Sequence, residues 1–208
     1  VLAGLSLRDG ADIDGFVAAF HGDDQLVADY LTEEFLDSVE ATERQRLLDV
    51  SILERFSGPL INYVCDVDDG TKWLAGLAAS NQLVISLDRT GTWFRFHHLL
   101  RDLLRAELER TSPERSAYLH AAAGRWYREE GDVVPAVEHL LRADRRTEAA
   151  DLVADNATQL LNTGRTYTVT RYIERLGDMV DTHEGLAIVH GWVSFVTGRF
   201  TEAERALA

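Results

Sequence analysis

Apolar residues recur at helical spacing along most of this chain, with one interruption near its middle. Leu26, Tyr30, Leu31, Phe35 and Leu36 mark one apolar stripe, and Leu47, Leu48, Ile52 and Leu53 mark the next. Thr42 and Gln45 stand at the spacing of a capping box, which starts the second helix near Thr42. A short helix is expected after Ser57-Gly58-Pro59, carrying Leu60, Ile61 and Val64, and another from Thr71, carrying Trp73, Leu74 and Leu77. Four helical segments therefore precede Ser80.

The period then changes. Gln82-Leu83-Val84-Ile85-Ser86-Leu87 is short and β-branched, Asp88-Arg89-Thr90-Gly91 is turn chemistry, and Thr92-Trp93-Phe94-Arg95-Phe96 alternates at period two. This pattern predicts a β-hairpin. Leu99, Leu100, Leu103, Leu104 and Leu108 restore helical spacing up to Thr111-Ser112-Pro113, where Ser112 can cap and Pro113 can open the next helix. Helices, a two-stranded wing and a further helix follow one another in the order of a winged-helix domain. The domain is placed at residues 20–112.

From Pro113 onward the pattern is helical, and glycines divide it into pairs. Gly131, Gly164 and Gly198 stand 33 and 34 residues apart, and each is followed five positions later by Ala136, Val169 or Ala203. That is the length of tetratricopeptide-like repeats, whose helix pairs bury their apolar faces by stacking. The expected fold is mainly α: a winged helix with a small hairpin, then a superhelical repeat array over residues 113–208. The chain begins Val-Leu-Ala-Gly without a methionine and stops at Ala208 within an apolar-periodic stretch, as expected of a fragment whose array continues.

With 46% hydrophobic and 27% charged residues, the 208-residue chain is too apolar for disorder. Its 35 acidic residues against 21 basic give a formal net charge of −14, which disfavours unaided contact with nucleic acid. The single cysteine, Cys65, excludes an intramolecular disulfide and fits a reducing, cytoplasmic setting. No apolar run reaches the length of a membrane span, so no membrane partner is expected.

Catalytic chemistry is missing from the sequence. A phosphate-cradling GxxxxGK[ST] loop is absent, and Asp69-Gly70-Thr71-Lys72 lacks both its first glycine and its residue order. No GxSxG elbow, HExxH pair or EF-hand loop is present. His97 and His98 point in different directions at a strand-to-helix junction without a third ligand nearby, which argues against zinc. Asp66, Asp68 and Asp69 surround Cys65 with acid and are expected to raise its pKa, so the thiol is read as structural. No metal site and no catalytic residue is assigned, and the chain is read as a non-enzyme.

The stretch Trp93-Phe94-Arg95-Phe96-His97-His98-Leu99-Leu100-Arg101-Asp102-Leu103-Leu104 resembles the winged-helix segment of MalT-like regulators. These are large ATP-binding members of the LuxR family, among the signal-transduction ATPases with numerous domains. Ala3-Gly4-Leu5-Ser6-Leu7, Leu47 to Leu53, Asn81-Gln82-Leu83-Val84, and Trp126 to Asp132 with Ala136 and His139 extend the likeness. The resemblance implies a switch: a nucleotide-binding core and winged helix, a helical-repeat sensor, and a C-terminal helix-turn-helix that reads DNA. Residues 1–19 would then close the nucleotide-binding module, and both the P-loop and the DNA reader would lie outside this chain. ATP or ADP would bind the full-length protein, with no cofactor held by this fragment alone.

Phe96-His97-His98 is also similar to the "MHD" element of related nucleotide-binding adaptors, whose middle histidine contacts the ADP phosphate. Position carries that role to His97, although Phe96 replaces the first residue of the element and His98 its aspartate. An imidazole at a helix start can donate to a phosphate oxygen in a region favourable to negative charge. The plainer reading leaves His97 with backbone carbonyls as partners and His98 as structural.

Other features have plain readings too. Trp93, Phe94 and Phe96 read as buried strand residues, and most of Trp126, Tyr127, Tyr167, Tyr172, Trp192 and Phe200 read as knobs between stacked helices. Arg101, Arg105 and Arg110 with Asp102, Glu107 and Glu109 read as a solvated, ion-paired helix face. The function expected is regulatory: effector sensing by the repeats is coupled to the nucleotide state through the winged helix. The partners are the protein's own nucleotide-binding domain, an unidentified effector on the repeats, and further copies on activation. The alternative is a tetratricopeptide-like protein-interaction scaffold without a nucleotide link.

Overall fold

The computed structural model describes residues 39–80 and 84–207. The Leu26–Leu36 stripe, the proposed end of a nucleotide-binding module at residues 1–19, the start of the domain at residue 20 and the segment Asn81-Gln82-Leu83 lie outside the described residues. The chain separates into two compact units between Leu119 and His120.

In the first unit α1 spans Ala41–Val50, α2 Gly58–Cys65 and α3 Gly70–Ser80. The capping box is not formed. Glu40 occupies the cap position without capping through its side chain, the Thr42 hydroxyl donates to the Glu40 carboxylate, and Gln45 turns to Asp49 at 2.9 Å. The helix also ends before Ile52 and Leu53, because the Ser51 hydroxyl donates back to the Leu48 carbonyl at 2.6 Å. Both residues stay in the core past the helix end, at 1% and 0% exposure. The start of α2 needs glycine: a Cβ on Gly58 would sit 2.0 Å from Thr71 Oγ1 and 2.8 Å from Thr71 Cα, where α3 begins. The backbones approach closely there, and the Gly70 N–H donates to Asn62 Oδ1 at 2.7 Å.

The predicted hairpin is present as β1, Val84–Ser86, antiparallel to β2, Phe94–Phe96, with Ile85 opposite Arg95. The Asp88 carboxylate closes its turn, accepting from the N–H groups of Thr90, Thr92 and Trp93 at 2.9 to 3.1 Å. These bonds hold the Asp88 carboxyl below the usual carboxylate range. The other edge of β2 is also occupied. Phe56 exchanges two backbone hydrogen bonds with Phe94, 2.8 and 2.9 Å long, so β2 is held from both sides. Phe94 and Phe96 face the core, with the Phe96 and Phe56 rings 4.7 Å apart. Helix α4, His98–Thr111, seals this core with Leu100, Leu104 and Leu108, each fully buried. Asp49 is buried as well and takes a two-point contact from Arg115 at 2.5 and 2.6 Å, which compensates its charge.

Pro113 opens α5, which runs to Glu129 and contains the division between the units. The second unit continues with α6 Val133–Arg142, α7 Arg146–Asn162, α8 Thr166–Leu176, a 3-10 turn Gly177–Asp181, α9 Glu184–Val196 and α10 Phe200–Leu207. The three marker glycines all take positive φ, at 75°, 78° and 77°. Around each, the same pair of hydrogen bonds closes the preceding helix: Asp132 to Tyr127 and Gly131 to Arg128, Arg165 to Leu160 and Gly164 to Leu161, Arg199 to Ser194 and Gly198 to Phe195. This is the Schellman closure, three times over. Ala136, Val169 and Ala203 then enter the core at 0%, 0% and 5% exposure. Ala157, Leu160, Val169, Ile173, Val180, Val189 and Val193 form one continuous cluster across α7, α8, the 3-10 turn and α9.

Candidate functional site

The strand alternation of β2 decides what the wing presents. Phe94 and Phe96 turn inward, so Trp93 and Arg95 stand on the outer face, half-buried. His97 follows with an extended ψ of 138° and occupies the cap position of α4, where its carbonyl accepts from the Arg101 N–H at 3.0 Å. It is half-buried, and its ring lies 4.4 Å from that of the exposed His98. No side-chain bond caps α4 at this position, and its first turn holds no acid. By helix geometry the N–H groups of His98, Leu99 and Leu100 have no acceptor within the helix, so the junction offers donors and a favourable dipole to an anion.

Sequence reasoning missed one neighbour of this face. Arg55 sits over the Trp93 ring at 4.9 Å, a contact set up by the Phe56 bridge that brings residue 55 beside β2. Trp93 is therefore half-covered by a cation rather than buried in the core.

The remaining residues singled out in the sequence lie elsewhere. Cys65 is largely buried, and burial pushes its thiol up to about 12, with the Asp49 carboxylate adding to the shift. The direction matches expectation but the cause differs, since Asp66, Asp68 and Asp69 do not contribute. Arg46 pairs with Asp69 at 2.9 Å, and Trp73 Nε1 donates to the Glu43 carboxylate at 2.8 Å. Arg101 pairs with Asp102 at 3.0 Å and Arg110 with Glu107 at 2.9 Å, as a solvated helix face requires. Among the described residues no three His, Cys, Asp or Glu side chains gather in metal-binding geometry, and no helix is long and apolar enough to cross a membrane.

The repeat aromatics divide differently from expectation. Tyr127 and Tyr172 are buried and Trp126 half-buried, but Tyr167, Trp192 and Phe200 are 79%, 57% and 60% exposed. They are surface residues, not knobs, in this structure. Trp192, Phe195 and Phe200 neighbour one another, with ring centroids 6.4 and 5.7 Å apart along the series. One further contact carried no sequence signal: the buried His120 and His139 meet Nδ1 to Nδ1 at 2.8 Å, with Tyr127 stacked on His139.

Residues 32–116 match the model of the MalT winged helix domain. Over 207 residues, 99% of this chain, the sequence is 30% identical to the serine/threonine-protein kinase PknK of Mycobacterium tuberculosis. It is 24% identical over 182 residues to the HTH-type transcriptional regulator MalT of Vibrio campbellii and 22% over 180 residues to that of Vibrio parahaemolyticus, 86% of this chain in each case. The chain spans about a fifth of the length of these relatives: 19% of the kinase and 20% of each regulator.

Proposed function

The chain carries a winged-helix domain of the MalT family, and we propose that it is the regulatory, non-catalytic segment of a larger ATP-dependent switch. The repeats sense an effector, and the winged helix transmits that state to an adjacent nucleotide-binding core of the same polypeptide. ADP docks against His97 in the resting form. Release of that contact opens the core, lets copies associate, and brings together output domains outside this segment, in a reducing, cytoplasmic setting. The observation that carries this reading is His97, placed by a strand locked on both edges at the uncapped start of α4.

The output is not dictated by the segment. Its relatives include helix-turn-helix regulators and a protein kinase, and the kinase matches over more of this chain. The segment therefore serves as a sensor joined to either kind of output, DNA binding through a C-terminal helix-turn-helix or phosphorylation. A second reading, a tetratricopeptide-like scaffold without nucleotide linkage, is favoured by the exposed apolar side chains Ile188, Trp192, Phe195 and Phe200, a surface suited to a partner.

Labelled ADP released from the full-length protein separates the two. His97→Ala is expected to speed release by roughly ten- to hundredfold, the scale of one charge-assisted hydrogen bond, and to raise basal activation. Unchanged release and unchanged activation would sink the latch and leave the scaffold.

A further inference from the structure

The outer face of the wing holds a second nitrogen-bearing side chain besides His97, and its surroundings set it apart. Arg95 is half-buried, lies opposite the half-buried Ile85, and has no carboxylate partner among the described residues. Five other arginines of the same unit are paired: Arg44 and Arg110 with Glu107, Arg46 with Asp69, Arg101 with Asp102 and Arg115 with Asp49. The Trp93 ring, two residues before it on the same strand face, is covered by Arg55. A partly desolvated guanidinium without a counter-charge is unfavourable in isolation, and it is a ready donor to an arriving anion.

Its position fixes which anion. Arg95 and His97 are two residues apart across an extended backbone, so their Cβ atoms share one strand face about 7 Å apart. From that spacing the long arginine stem and the imidazole can reach adjoining groups of one polyanion. Their backbone cannot drift, because β2 pairs with β1 on one edge and with Phe56 on the other, while Phe94 and Phe96 anchor its inner face. Both groups are therefore presented from a fixed backbone, which leaves only their side-chain rotamers to be ordered on binding. We propose that Arg95 is a second anion-binding residue of the wing, holding the diphosphate of the same nucleotide that His97 contacts. The inference rests on the nucleotide reading of His97. It assigns Arg95 and His97 to different phosphates, so discrimination of ADP from AMP resides in this pair of side chains.

The test measures ADP and AMP affinities of the full-length protein in its wild-type form and as Arg95→Ala, Arg95→Lys and His97→Ala. Arg95→Ala is expected to weaken ADP by about ten- to hundredfold while changing AMP far less, so the preference for ADP shrinks. Arg95→Lys should restore part of that preference, since a point charge reaches the phosphate without the guanidinium fork. A merely structural arginine would weaken both nucleotides equally, and the Arg95→Lys protein keeps the test open if the alanine variant does not fold. An unchanged ADP-to-AMP ratio in the Arg95 variants, with ADP affinity weakened in His97→Ala, overturns the inference and spares the latch. Unchanged ADP affinity in all variants, or no ADP binding at all, overturns both.

Discussion

Cys65 shows how burial governs a side chain that the sequence surrounds with acid. Its thiol is pushed up to about 12 mainly by desolvation, so the neutral form belongs to the folded state. Because the folded pKa is raised above its ordinary value of about 9, the stabilisation is full below pH 9 and is lost as pH rises from there towards 12. Tyr172 acts in the same direction from about 10 to about 12, its hydroxyl donating to the Val134 carbonyl at 3.2 Å. Urea midpoints are therefore expected to fall above pH 9, and Cys65→Ala should flatten the earlier part of that fall. Native protein at pH 8 should resist a thiol reagent that labels Cys65 within seconds in denaturant, and fast native labelling would refute this placement. The sequence disclosed the direction of the shift because cysteine lay among aspartates, but it concealed the cause, which is three-dimensional packing. For His97 the change from period two to helical spacing marked only the junction where it stands, and its candidate role came from the resemblance to the MHD element.

Helix closure gives the corresponding lesson for elements. Gly131, Gly164 and Gly198 announced three turns because only glycine enters the left-handed region without strain. The turn between α6 and α7 repeats the same two hydrogen bonds, Arg145 to Leu140 and Asp144 to Leu141, but with Asp144 at φ 55°. Aspartate left no comparable mark in the sequence. Asp144→Gly removes the left-handed strain in an unchanged hydrogen-bond frame, and a gain of about 0.5 to 1 kcal/mol is expected. Gly164→Ala should cost a similar amount or more, and paired urea titrations check both signs. A destabilised Asp144→Gly protein would mean that the aspartate side chain contributes more than its backbone strain costs. Other elements were illegible for local reasons. The Phe56 bridge is a single residue with no period to read, and Ser51 ended α1 through a hydroxyl bond inside a run whose apolar spacing continued.

Across the whole molecule, charge decides what the wing does not bind. Of the 35 acidic residues, ten fall in the first 40 positions beside a single basic one, whereas residues 41–119 carry 11 acidic against 10 basic. Residues 41–119 are thus nearly neutral, and repulsion by that stretch alone does not remove it from nucleic acid. What removes it is the spending of its cations within the fold: Arg44, Arg46, Arg101, Arg110 and Arg115 are committed to carboxylates. Helix α3, the last helix before the hairpin, exposes Lys72 but begins beside Asp69. Arg95 and His97 can meet one diphosphate, but they are too few to follow a duplex across several phosphates. Fluorescence anisotropy of the 208-residue chain with labelled duplex DNA should therefore show no binding at about 150 mM salt in the micromolar range typical of non-specific contact. Binding at that salt, weakening steeply as salt rises and lost in Arg95→Ala, would instead make the outer face of the wing a nucleic-acid surface, and the nucleotide assignment of Arg95 would fall with it.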